Sequence, residues 1–290
     1  MPVPPLQDRV RGALVGAVVG DAFGSALEGA PATTAVLLAQ RRASSSGPWG
    51  YTDDGAMFIA VAESIRDCGT VSPIGLLEAL SRRYEPARGF GRGMKLALRA
   101  FENGAPWQDV ARAGWPEGSR GNGGAVRVGA VALRRWASAA DLTRAATMAT
   151  RVTHAHPEAI EAALAQARLV AMAIFEPAPF ARLIAADAGT DIASAHGTST
   201  FARESVPAAH AAFLRSHATF RQAVTAAASL GGDVDSICCI VGCLAGALHG
   251  LTGIPPTWLA AMKHESPSVD ELCFLADGLM RLDVGTYTNV

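Results

Sequence analysis

Apolar positions along this chain recur at intervals of three and four residues in one segment after another. Helices are predicted near residues 9–19, 55–67, 73–83, 93–102, 123–137, 141–151, 157–174, 206–215, 219–229 and 236–249. No alternating apolar and polar run exceeds four residues, so the chain reads as all-α, folded as a single domain over residues 1–290. Two of these helices, beginning at Gly55 and Ile237, are mainly apolar on all sides, which predicts burial in a core. The first helix carries Gly12, Gly16 and Gly20, a spacing that lets a second helix approach its backbone. Pro31 to Pro48, with Ser44-Ser45-Ser46-Gly47, reads instead as a polar, turn-rich connection able to move.

What precedes the two apolar helices changes the picture. Gly231-Gly232-Asp233-Val234-Asp235-Ser236 leads into one, and Tyr51-Thr52-Asp53-Asp54, about 180 residues earlier, leads into the other. Asp233 and Asp235 would lie about 200° apart on a regular helix, so both face one site only if they stand at its mouth. Carboxylates at the edge of a core demand a positive partner. If the two mouths converge, four Asp side chains and the hydroxyls of Thr52 and Ser236 make an all-oxygen cluster. Such ligands suit Mg2+ or Mn2+, whereas zinc usually brings in His or Cys. Four carboxylates would balance two dications. The plain alternative is that each Asp caps its own helix.

Composition narrows the range of partners. With 25 basic and 26 acidic residues among 290, no global field attracts nucleic acid or an anionic membrane. The 50% apolar content suffices for a large core. Five cysteines, three of them (Cys238, Cys239, Cys243) in the apolar helix, predict free thiols and a reducing cytoplasm. No signal-peptide pattern opens the chain and no uncharged apolar run of bilayer length is read, so a soluble protein is expected.

Other polar groups stand out along the chain. Asp21 and Glu28 are the only acids in Gly20-Asp21-Ala22-Phe23-Gly24-Ser25-Ala26-Leu27-Glu28. Asp21 reads as a satisfied core carboxylate, Glu28 as a freer group at a loop edge. Arg88-Gly89-Phe90-Gly91-Arg92-Gly93 exposes backbone amides around one aromatic ring and could cradle phosphate or stack on a base. Ser119-Arg120-Gly121-Asn122-Gly123-Gly124 opens a helix, with Asn122 either its cap or part of an anion site. In Thr153-His154-Ala155-His156-Pro157-Glu158, a substrate contact or a helix-entry hydrogen bond is favoured over zinc.

Together these pieces resemble the ADP-ribosylglycohydrolase family. The resemblance rests on Arg11 to Leu14 with Gly20 to Glu28, Tyr51-Thr52-Asp53-Asp54, Arg88-Gly89-Phe90-Gly91, Gly121 to Arg127, Thr153 to Glu158, and Leu230 to Ser236. Val206-Pro207-Ala208-Ala209 and Ile254-Pro255-Pro256-Thr257-Trp258 also match, all in the family's order over roughly residues 9 to 260.

The resemblance implies a compact, orthogonal all-α domain with two Mg2+ ions in a central cleft, cleaving the glycosidic bond between ADP-ribose and an acceptor. The implied metal ligands are Thr52, Asp53, Asp54, Asp233, Asp235 and Ser236. Glu28 and Asp54 would relay protons. Gly89, Phe90, Gly91, Gly93, Ser119, Arg120, Gly121, Asn122 and His154 would line the ADP-ribose cleft. The expected partner is ADP-ribose, an ADP-ribosylated protein or an ADP-ribosylated small molecule, met by a monomer or weak dimer. Gly55 and Ala56 stand where many relatives carry Thr and Gln, Val234 where Thr is common, and Arg120 where an aromatic or small residue is frequent. A non-catalytic ADP-ribose binder, a structural protein, and a hydrolase of a related small glycoside or phosphate compound are the alternatives.

Overall fold

The computed structural model describes residues 3–186 and 196–287; residues 1–2, 187–195 and 288–290 of the expected domain lie outside the described residues. Its helices are α1 (Leu6–Gly24), α2 (Ala32–Ala43), α3 (Asp53–Cys68), α4 (Pro73–Arg83), α5 (Arg92–Glu102), α6 (Trp107–Val110), α7 (Gly123–Val128), α8 (Ala139–Arg151), α9 (Pro157–Phe175), α10 (Pro177–Ala186), α11 (Ala202–Ser216), α12 (Phe220–Ala228), α13 (Val234–His249), α14 (Pro256–Ala261) and α15 (Val269–Met280). Among the described residues the only extended pairings are two isolated bridges, Gly121 with Phe201 and Trp136 with Gly285. The all-α expectation holds.

Helices α1 and α13 form the axis of the core. They run antiparallel at backbone contact: a methyl on Gly12 would collide with the Gly246 carbonyl, one on Gly16 with Gly242, and one on Gly20 with Cys238. At the far end a methyl on Gly24 would stand 2.6 Å from the Asp235 Cα. The glycine spacing of α1 therefore sets how near the end of α1 comes to the start of α13. Gly242→Ala is expected to lower stability by at least about 1–3 kcal/mol, because neither backbone can retreat from the added methyl. An unchanged urea midpoint for that variant would show that the pair can separate freely.

One expectation needs correction. Residues 32–43 form a helix, not a turn-rich connection, and its inward face consists of Ala35, Ala39 and Ala43. The segment Leu6–Leu27 is long and apolar enough to cross a membrane by length and composition alone, but 83% of its most apolar window is packed inside the protein. Helices α6, α10, α14 and α15 are further additions to the sequence reading. The predicted helix 123–137 ends early: α7 tightens at Gly129–Leu133 into a 3-10 turn, where Gly129 packs against Phe58 and the Cys243 sulfur. All five cysteines are free thiols.

Candidate active site

The antiparallel pair delivers the last turn of α1 to the mouths of both α3 and α13. Asp21, fully buried, accepts hydrogen bonds from the Thr52 amide (2.8 Å), the Thr52 hydroxyl (2.7 Å) and the Gly55 amide (2.8 Å). It is the satisfied core carboxylate expected, and its partners are the first amides of α3. Thr52 completes the cap, its Oγ1 accepting from the Asp54 amide at 3.2 Å. With the helix start satisfied in this way, Asp53 and Asp54 are not needed as caps. Gly55 also becomes intelligible, since a Cβ there would stand 2.7 Å from Asp21 Oδ2. A threonine has no room at that position in this chain.

At the other mouth Gly231 and Gly232 adopt φ values of +72° and +78°, the left-handed region that favours glycine. Asp233 follows at the N-cap of α13, with its amide donating to Thr198 O at 2.8 Å, yet its side chain makes no cap bond. The carboxylate turns outward and accepts from Asn122 Nδ2, which also donates to Ser205 Oγ at 3.0 Å. Asn122 thus occupies the N-cap position of α7 without a side-chain cap bond, and with its Nδ2 donating to both Ser205 and Asp233 its side chain orients Asp233. Ser236 Oγ donates to Asp54 Oδ2, joining the two motifs directly. Val234 between the two Asp residues is wholly buried.

Glu28, Asp233 and Asp235 each offer an oxygen, and these atoms all lie within 4.8 Å of one another. Glu28 is exposed, whereas Asp54 and Asp235 are only 5% and 6% exposed. The Glu28 loop is tied down just beyond that residue: Gly29 N donates to Gly232 O at 3.0 Å, and Gly232 N to Ala30 O at 3.3 Å.

Burial governs the electrostatics. It pushes Asp53 up to about 6, helped by the charges of Glu28 and Asp233, and Asp235 up to about 8, helped by Asp21, Asp233 and Glu28. Asp54 is raised well above the carboxylate range by burial and then by Asp53, Asp235, Asp21 and Asp233. Asp233 is raised by burial, against the pull of its hydrogen bond from Asn122. Asp21 rises to about 7, burial outweighing the bonds from Thr52 and Gly55. Among the described residues none of these acids forms an ion pair with Lys, Arg or His. Crowded, desolvated, unpaired carboxylates with two hydroxyls fit hard divalent cations. Thr52 Oγ1, already bonded to Asp21 and the Asp54 amide, has one lone pair left for such a role.

The glycine-rich loops divide. A Cβ on Gly89 (φ +94°) would lie 3.6 Å from Asp53 Oδ1, so this backbone borders the cluster, and Gly91 is open on its side-chain face. Phe90 is a correction: its ring is 1% exposed and packs edge-on against Tyr84 with centroids 4.9 Å apart, so it cannot stack on a ligand base. Gly93 packs against Trp115, where a Cβ would meet Nε1 at 2.9 Å. Ser119 Oγ accepts from the Gly121 amide at 3.1 Å, while Arg120 is exposed and 3.6 Å from Glu117. His154 lies beneath this loop, its Nε2 3.4 Å from where a Gly121 Cβ would stand. His156 is the helix-entry residue, with Nδ1 accepting from the Glu158 amide at 3.2 Å, which leaves no His-x-His zinc pair. Sequence reasoning gave no individual role to Thr153 or Arg127, which support His154 from behind; the signal for Arg127 was a lone cation in an apolar helix.

An all-α fold in which the starts of α3 and α13 meet at a shared cluster of unpaired carboxylates defines a candidate metal-binding enzyme site. The model of the ADP-ribosylglycohydrolase family matches residues 2–289, and the chain belongs to that family of enzymes. Similar proteins include the ADP-ribosylhydrolase ARH3 of Homo sapiens, 26% identical over 94% of this chain and 93% of that protein. The ADP-ribosyl-[dinitrogen reductase] glycohydrolase of Rhodospirillum rubrum is 28% identical over 89% of this chain and 92% of that protein. A solved structure titled "ADP-ribosylglycohydrolase-related protein complex" superposes with a TM-score of 0.73 at 28% identity, over 96% of this chain and 98% of that one.

Proposed function

We propose that this chain is a Mg2+-dependent hydrolase that cleaves the bond between the anomeric carbon of ADP-ribose and an acceptor nitrogen or oxygen, releasing ADP-ribose. The observation that carries the reading is the meeting of Asp53-Asp54 with Asp233-Asp235 in a cluster that has no cationic side-chain partner among the described residues. Thr52, Asp53, Asp54, Asp233, Asp235 and Ser236 would hold two Mg2+ ions, with Mn2+ an acceptable substitute. Bound there, the ions would grip ribose hydroxyls and make water a nucleophile at neutral pH.

The chain's own residues do the rest. Breaking the bond develops positive charge on the ribose and requires a proton on the leaving atom. Glu28 is the exposed acid of the cluster, placed to pass that proton between solvent and the leaving group. Asp54 is fixed by Ser236 and holds its proton readily in the absence of cations. Backbone at Gly89 and Gly91, the Ser119–Asn122 loop and His154 bound the space for ADP-ribose. An ADP-ribosylated protein side chain or small molecule is the partner we assign. Free thiols favour a reducing, cytoplasmic setting.

The test is release of ADP-ribose from ADP-ribosyl-arginine and ADP-ribosyl-serine, with Mg2+ and with EDTA. Turnover of either substrate that depends on Mg2+ is expected. Binding of ADP-ribose without any release would make the chain a non-catalytic member of the family.

A further inference from the structure

We propose that Thr153, aimed by the buried guanidinium of Arg127, is a positioning residue that holds His154 as its Nε2–H tautomer, presenting a hydrogen-bond donor to a ligand oxygen at the Ser119–Gly123 loop. Arg127 is fully buried and, among the described residues, has no carboxylate partner within bonding distance. Its Nη1 donates to Gly123 O at 3.1 Å; its Nη2 donates to Ala149 O at 2.9 Å, to Thr150 O at 3.3 Å and to the Thr153 hydroxyl at 2.6 Å. Arg127 thus ties the start of α7 to the end of α8.

A hydroxyl has one hydrogen to give. Thr153 Oγ1 accepts from Arg127 and lies 2.8 Å from His154 Nδ1, and among the described residues it has no other hydrogen-bond acceptor. Its hydrogen therefore points to Nδ1, making that nitrogen the acceptor and leaving the ring proton on Nε2. Protonating both nitrogens would bury an imidazolium beside the guanidinium. Burial and then the Arg127 charge accordingly press the His154 pKa down to about 3. The ring is a fixed neutral donor and not a general acid or base.

The donor has room in front of it. Nε2 makes no hydrogen bond within the described protein. Two glycines of the loop border it: a Cβ on Gly123 would stand 3.3 Å from Nε2, and one on Gly121 3.4 Å. Side chains at either position would crowd the space an acceptor oxygen needs.

The identity of the ligand rests on the hydrolase reading above; the tautomer does not. The experiment records imidazole 15N and proton resonances of the full-length protein without ligand, for wild type, Thr153→Val and Thr153→Ser, together with ADP-ribose titrations of each. The wild type is expected to carry its His154 proton on Nε2. Thr153→Val should populate the Nδ1–H form and weaken ADP-ribose binding about 5- to 10-fold, the loss of one hydrogen bond. Thr153→Ser should restore both properties, which a purely structural role would not require. A wild-type ring protonated at Nδ1, or a Thr153→Val protein with an unchanged tautomer, overturns the inference. A wild type with the expected tautomer that fails to bind ADP-ribose would instead overturn the hydrolase reading.

Discussion

Asp235→Asn is expected to reduce kcat/KM for release of ADP-ribose by at least about 100-fold, because residues that merely support metal ligands already cost 10- to 100-fold when removed. Asp235 lies in the first turn of α13, is nearly sealed from solvent, and shares its site with Glu28 and Asp233. The amide keeps the volume and removes the charge, so packing is preserved while the electrostatic demand for a cation falls. The same variant should bind Mg2+ more weakly by calorimetry and, without metal, be at least as stable as the wild type, since one desolvated carboxylate has gone. Undiminished Mg2+-dependent turnover in Asp235→Asn would remove the cluster from the mechanism.

The second large effect is on stability against pH. Asp21, Asp53 and Asp235 have folded values of about 7, 6 and 8, above the ordinary 3.8. Below pH 3.8 each is protonated in both the folded and unfolded chains, and folding carries no penalty from them. As pH rises the unfolded chain ionises first while the folded one retains its protons, so stability declines between about pH 4 and pH 8 and then levels. This is the reverse of the usual salt-bridged carboxylate. In EDTA the melting temperature should therefore fall from pH 5 to pH 8, on the order of 5 °C or more. Saturating Mg2+ should recover most of that loss at pH 8, since a ligand held at about 100 times its Kd contributes roughly 2.7 kcal/mol per site. A flat EDTA profile that Mg2+ does not alter would show that the acids are compensated within the protein.

The sequence made the two metal-motif helices legible because each joins an acidic start to an apolar body, a local pattern that needs no tertiary knowledge. The close approach of α1 was also legible, from Gly12, Gly16 and Gly20. Helix α2 was hidden because its buried face is alanine only, while Val36, Leu37 and Leu38 point outward at 37–51% exposure, inverting the usual pattern. Helix α15 had a readable start, the capping box of Ser268 and Glu271. Phe90 was misjudged because a glycine-flanked aromatic looks exposed in sequence, and only Tyr84 and the core behind it decide where the ring goes. The role of Asn122 was out of reach for another reason: its partners Ser205 and Asp233 lie 83 and 111 residues away. Arg127 reaches Thr153 across 26 residues, again a contact that no local pattern announces.

The two main-chain bonds between Gly29–Ala30 and Gly232 carry a mechanical implication. Any outward swing of Glu28 must either pivot on the residues before Gly29 or pull the turn carrying Asp233 along with it. A swing that extends through Gly29 thus moves Glu28 and Asp233 together, with the pairing of Gly29–Ala30 and Gly232 as their common hinge. Lengthening that hinge would disturb both at once.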